Sequence, residues 1–161
     1  MNPLRRTPID WIVLALTLLC LIAAFVPLFY YNRIGADEAI PTHYNIKGEI
    51  DGWSNRSFFW ITPLIALAMC VGLTVLERFY TKFNFPVRVT EANEESLYRL
   101  GVQLLRWLNL IVAGIFAYIN LSTLSIALGH SNGMNVFILI PLIAGMLIIV
   151  LHFMIKMARY K

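Results

Sequence analysis

The sequence predicts an all-α integral membrane protein, with four transmembrane helices in an antiparallel bundle and a small β-hairpin-like outer loop. Two observations lead to this fold class. Apolar residues make up 59% of the chain and charged residues only 14%, whereas soluble proteins have roughly 45–50% and about 25%. The charges are also unevenly spread, because residues 11–32, 57–76 and 107–155 contain no Asp, Glu, Lys or Arg.

The first two charge-free stretches each match one membrane span, since about 20 helical residues cross a hydrocarbon core of roughly 30 Å. The third is too long for one helix and contains Gly129 and Gly133 among Ser and Asn residues that favour a turn. It therefore predicts two spans joined by a short hairpin. We expect one membrane domain, residues 1–161, with spans at 9–30, 57–77, 106–128 and 135–156, an outer loop at 31–56 and an inner loop at 78–105.

The positions of Lys and Arg predict the orientation, because loops rich in these residues tend to stay in the cytoplasm. With both termini inside, the outer segments hold only Arg33, Lys47 and Arg56, and the inner segments hold the other ten of the 13 basic residues. We interpret the inner basic residues, Arg106 included, as anchors at the lipid headgroups. The expected location is the bacterial cytoplasmic (inner) membrane, with a multi-pass chain whose N- and C-termini are cytoplasmic.

The inner loop has a pattern typical of an amphipathic helix. Thr90 is a candidate N-cap, and Glu94 lies in the first turn, where negative charge is favourable. Leu97, Leu100 and Leu104 then recur at helical spacing. We expect this helix to lie along the cytoplasmic headgroups before the chain turns into the third span.

The outer loop is the most specific part of the sequence. Pro41, Gly48 and Gly52 are predicted turn residues: proline fixes φ, and Gly48 separates two short segments at a point where a reversal needs positive φ. Tyr44 and Trp53 could lie at the membrane interface, where aromatic rings are favoured.

The outer loop also contains a recognisable sequence motif. Residues 41–51 read P-x-H-Y-N-x-x-G-x-x-D, directly after one predicted span and before the next. This resembles the signature of a bacterial domain-of-unknown-function family that forms the N-terminal part of SdpI-type membrane immunity proteins, over about residues 8–80. The resemblance implies a role in immunity to a secreted killing peptide. SdpI-type proteins continue into a longer set of spans, whereas this chain adds only one further hairpin.

Five loop residues are candidate contacts for a ligand or partner: His43, Tyr44, Asn45, Asp51 and Trp53. Three interpretations of the His–Asp pair stay open. An imidazole and a carboxylate could ligate a metal ion, with His130 of the other outer loop and Asp37 or Glu38 as further ligands. The pair could equally be a hydrogen bond within the hairpin, or part of a surface that recognises an extracellular peptide or partner.

Several function classes find little support in the sequence. No hydrolase, zinc-protease or phosphate-loop motif is present, so we predict no enzyme activity, no catalytic residue and no cofactor. The basic residues form no cluster of the kind that binds nucleic acid. Besides the lipid bilayer, the expected partners are an extracellular peptide or a membrane protein, and an oligomer is compatible with the sequence. The favoured function is immunity or sensing, and the alternatives are a small transporter or metal-handling protein and an accessory subunit of a larger complex.

Overall fold

A computed structural model describes residues 2–35 and 38–160. The helices are α1 (Pro8–Phe29), α2 (Ile61–Leu76), α3 (Glu94–Ala127) and α4 (Val136–Ala158), and the strands are β1 (Ala39–Tyr44) and β2 (Ile50–Asn55). Short 3-10 turns extend α1 and flank α2, so the four apolar helical segments are Pro8–Arg33, Arg56–Lys82, Glu94–Ala127 and Val136–Ala158. All four are long and apolar enough to cross a membrane. The predicted fold class is confirmed, and the protein is a multi-pass membrane protein.

Helix α3 is the centre of the bundle, because α1, α2 and α4 each pack against it. The two ends of the bundle are identified by long-range hydrogen bonds. At the end that we call the terminal end, Arg106 donates to the Leu4 carbonyl oxygen and Asn93 to the Tyr160 carbonyl oxygen. At the hairpin end, the β-strands lie beside the connection between α3 and α4. Both chain termini therefore lie at the same end of the bundle.

Helix α1 begins where its sequence predicts a strong start. Thr7 is the N-cap, its side chain accepts from the Asp10 N–H, and the Asp10 carboxylate accepts from the Thr7 N–H in return. Pro8 occupies the first turn, where its missing N–H costs nothing. This reciprocal capping box fixes the start of the first membrane-crossing segment.

Helix α3 differs from the expectation of a separate surface helix at the inner loop. It is one continuous helix of 34 residues, so helical structure covers 94–105 as well. The Leu97 and Leu100 side chains are buried against Phe153 and Met157 of α4 and do not face lipid headgroups. The chain itself covers this apolar face, and the helix continues without a break into the membrane-crossing part.

The start of α3 also differs from the expected Thr90 cap. Asn93 is the N-cap residue, and the Asn93 side chain accepts a hydrogen bond of 2.8 Å from the Thr90 N–H. The Asn93 amide also donates to the Arg88 and Tyr160 carbonyl oxygens. Asn93 thus joins the connection between α2 and α3 to the end of α4.

The interpretation of Arg106 as a headgroup anchor is wrong. Its side chain is only 3% exposed, and it bonds at 3.0 Å both to Asp10 Oδ2 of α1 and to Glu77 Oε2 at the end of α2. Arg6 adds a longer contact to Glu77. Two carboxylates from other helices surround the guanidinium because a buried charge must be paired. This cluster ties α1, α2 and α3 together at the terminal end.

Polar residues of α3 make hydrogen bonds to α2. Asn109 donates to the Cys70 carbonyl oxygen at 3.1 Å and to Thr74 Oγ1 at 3.0 Å, and Asn120 accepts from the Thr62 hydroxyl. Such bonds add only about 0.6–1.7 kcal/mol each within a membrane. They set which faces of α2 and α3 meet.

Candidate functional site

The β-hairpin forms through local interactions that the sequence specifies. Strands β1 and β2 are antiparallel, and the turn between them contains Gly48 with φ +82°. The Asn45 side-chain oxygen accepts from the Lys47 and Glu49 N–H groups at 2.9 and 3.0 Å. The predicted hairpin and its reversal at Gly48 are confirmed, and Asn45 is the residue that shapes the turn. Pro41 and Gly52, also predicted as turn residues, instead lie within β1 and β2.

Gly52 has a packing role opposite His43. The two residues pair across the strands, and a Cβ added at Gly52 would lie 2.8 Å from His43 Cβ. The strand register is irregular on both sides of His43. Glycine at position 52 therefore leaves the space that lets the His43 backbone approach β2.

His43 and Asp51 meet on the hairpin, as their placement on opposite arms predicts. His43 Nδ1 and Asp51 Oδ1 are 2.5 Å apart, and the two side chains are 73% and 44% exposed. The two side chains thus form a hydrogen bond within the hairpin, and this bond is accessible to solvent.

A metal centre would need further ligands. Within residues 2–35 and 38–160, no group of three or more His, Cys, Asp or Glu side chains could hold a metal ion. His130 is therefore not assembled with His43 and Asp51 into such a group. Asp37 lies outside the described residues. Two protein ligands are fewer than the three or four of typical zinc sites.

The hairpin is fixed to the helix bundle by two kinds of contact. The Tyr44 hydroxyl lies 2.9 Å from Thr123 Oγ1 of α3, and burial raises the pKa of the Tyr44 hydroxyl above its ordinary value of 10.0. The Met134 N–H donates to the Gly48 carbonyl oxygen at 2.8 Å. The turn of the hairpin therefore binds the connection between α3 and α4 through backbone atoms.

The backbone contact is close enough to require glycine on both sides. A Cβ on Gly48 would lie 2.0 Å from the Met134 carbonyl oxygen, and a Cβ on Gly133 would lie 2.7 Å from the Gly48 carbonyl oxygen. We call this contact between residues 48 and 133–134 the backbone clasp. The sequence signal for the backbone clasp is the presence of a glycine in each of the two loops, Gly48 and Gly133.

An apolar cluster supports the base of the hairpin. Ile34, Ile40 and Phe59 are each no more than 2% exposed and pack together. Arg56 donates to the Ile34 carbonyl oxygen at 2.8 Å, and its guanidinium lies 4.7 Å from the centre of the Tyr31 ring. The segments before and after the hairpin are thereby held against each other.

A cavity of about 300 Å³ lies between the hairpin and the helices. Four elements contribute to it: β1 with the following turn, the start of α2, the middle of α3 and the start of α4. Its lining is mostly apolar and aromatic, and comprises Ile40, Pro41, Thr42, His43, Tyr44, Asn45, Gly48, Phe58, Phe59, Thr62, Phe116, Ile119, Thr123, Met134, Val136 and Leu139.

The structure separates the predicted contact residues into two groups. His43, Tyr44 and Asn45 line the cavity, whereas Asp51 and Trp53 do not. Trp53 is 56% exposed, and Asp51 is reached from solvent beside His43. The lining residues of α2, α3 and α4 are not recognisable from the sequence, because they come from distant parts of the chain and resemble ordinary span residues.

Comparison with known proteins gives one match. No curated protein and no solved structure matches this chain significantly. A family model matches residues 18–67, which is less than half of the chain. This segment starts within α1, includes the whole hairpin with all six signature residues, and ends within α2. Over this segment, the protein is similar to a domain of unknown function (DUF1648).

Proposed function

We propose that this protein is a non-catalytic receptor or immunity protein of the bacterial cytoplasmic membrane, whose hairpin binds an extracellular peptide or another membrane-active agent. In this proposal the hairpin end faces outward and both termini are cytoplasmic. The charge distribution supports that orientation, since ten of the 13 basic residues fall in the segments then placed inside. The resemblance of the signature to SdpI-type immunity proteins supports the immunity role.

The observation that carries the proposal is a rigidly held hairpin with an exposed polar and aromatic surface. Tyr44 and the backbone clasp fix the hairpin to α3 and to the connection before α4. His43, Asp51 and Trp53 are nevertheless exposed. A surface that is ordered before binding loses little conformational entropy when a ligand docks, so more of the contact energy contributes to affinity.

The exposed residues have the properties of a recognition surface. Trp53 offers a large ring that a partner can bury, and tryptophan is enriched among the residues that dominate binding energies. Asp51 supplies an acceptor, and His43 supplies a ring nitrogen for a polar contact beside it. These groups suit a peptide that combines an apolar side chain with hydrogen-bond donors.

A survival assay tests the proposal. Cells lacking the protein should become more sensitive than intact cells to at least one agent in a panel of secreted peptides and membrane-active compounds. His43→Ala, Asp51→Ala and Trp53→Ala should each reproduce the loss with normal amounts of protein in the membrane. His130→Ala is the matched control and should keep protection, because His130 is not part of the exposed pair. Equal survival of intact and deleted cells across the panel would contradict the proposal.

Orientation has its own test. An Ile46→Cys variant places a thiol at the turn, where the native side chain is 91% exposed. A membrane-impermeant maleimide should label this variant in intact cells. Labelling only after the cells are broken would show that the hairpin end faces the cytoplasm.

A further inference from the structure

The lining of the cavity beneath the hairpin includes both polar and apolar residues. Thr42, His43 and Asn45 are polar lining residues of the hairpin, and we call this part of the lining the roof. Phe116 and Ile119 of α3 and Leu139 of α4 belong to the apolar wall. A molecule that fits both would have an apolar chain and a small group able to form hydrogen bonds.

The position of the cavity indicates where such a molecule enters. Helices α2 and α4 each pack against α3, and in the described part of the chain they share no extended interface with each other. The cavity is lined from both helices and so occupies the gap between them. Both helices also carry exposed apolar side chains, with Leu64 of α2 50% exposed and Ile140 of α4 55% exposed. In a bilayer these side chains contact lipid chains.

We propose that the cavity binds the alkyl chain of an amphiphile from the surrounding leaflet, with the polar group of the amphiphile at the roof. The chain fills an apolar space and gains dispersion contacts with the wall residues, while the Thr42 hydroxyl and the His43 ring offer hydrogen bonds to an ester or carboxyl group. A volume of about 300 Å³ is at the low end for ligand sites, so it holds a chain segment and not a complete lipid.

This site goes beyond the peptide surface of the proposed function and shares His43 with it. Asp51 and Trp53 lie on the exposed face and do not line the cavity. Ile119 and Leu139 of the helices line the cavity. Loss of chain binding and loss of protection can therefore be observed separately.

Photolabelling of the full-length protein in lipid nanodiscs tests the proposal. Two probes carry the same diazirine-bearing alkyl chain, one as a free fatty acid and one as a phosphatidylglycerol. Mass spectrometry then maps the labelled residues. We expect adducts on the cavity-lining segments around 116–123 and 136–139 with at least one probe. The probe that labels them identifies the source of the chain.

Cavity-filling variants give the decisive comparison. Leu139→Phe should reduce labelling of the 116–123 segment about tenfold, which corresponds to about 1.4 kcal/mol of binding free energy. Leu147→Phe is the matched control, since Leu147 lies on the same helix, is 58% exposed and does not line the cavity. Ile119→Phe fills the space from α3 and keeps the test valid if Leu139→Phe fails to fold. Equal labelling of the filled and control variants, or labelling confined to exposed helix faces, would overturn the proposal.

Discussion

Replacement of Gly48 by alanine probes the backbone clasp that holds the hairpin to the bundle. The native φ of +82° costs a residue with a Cβ about 1–2 kcal/mol. The new Cβ would also lie 2.0 Å from the Met134 carbonyl oxygen, so the loops must separate. Loss of the Met134 N–H to Gly48 bond adds about 0.5–1.5 kcal/mol. The free energy of unfolding should therefore fall by about 1.5–3.5 kcal/mol.

Gly129→Ala is the control that separates backbone strain from the clash. Gly129 has φ +72°, but a Cβ there would meet nothing within 4 Å. Its replacement should cost only the strain of about 1–2 kcal/mol. Equilibrium unfolding of the purified proteins in mixed micelles measures both changes, and hydrogen exchange at the Met134 amide reports the clasp directly. If Gly48→Ala is no less stable than Gly129→Ala and leaves Met134 protected, the reasoning is refuted.

Two further substitutions test contacts at opposite ends of the bundle. Arg106→Leu leaves Asp10 and Glu77 buried without their partner, so unfolding in mixed micelles should show a loss of about 3–5 kcal/mol; a loss no larger than that of the exposed Arg88→Leu would contradict the cluster. Tyr44→Phe removes the bond to Thr123 and should cost about 0.5–1.5 kcal/mol near neutral pH. Burial of the hydroxyl raises the pKa of Tyr44 above 10.0 in the folded protein. The stability that Tyr44 contributes is therefore complete below pH 10 and is lost as the pH rises through the folded pKa, because the buried site disfavours the ionised form. The stability difference between the native protein and the variant should shrink as the pH rises above 10. A difference that stays constant above pH 10 would refute the raised pKa of Tyr44.

Local interactions explain why the hairpin was predictable. Asn45 and Gly48 form the turn through contacts within a few residues, and turn chemistry of this kind can be read from the sequence. The meeting of His43 and Asp51 follows from the same register. The fold of this part of the site thus depends little on the rest of the chain.

Arg106 shows the opposite case. A basic residue at the edge of an apolar stretch has the same sequence pattern whether its charge reaches lipid headgroups or is paired inside the protein. Only the approach of Asp10 from α1 and Glu77 from α2 buries it. The same limit applies to Leu97 and Leu100. Their helical spacing is compatible both with a helix that lies on a membrane surface and with a helix packed against α4, whose residues cover them in the structure.

The sequence by itself determined the membrane environment, the four long apolar helices and the hairpin with its turn, because each depends on composition or on contacts close along the chain. Tertiary structure alone decided how the hairpin meets the helices. The cavity joins residues from 40 to 139, and the clasp joins two glycines that lie far apart in the chain. Such contacts depend on how four apolar helices pack, and their similar apolar surfaces leave that arrangement unspecified in the sequence pattern.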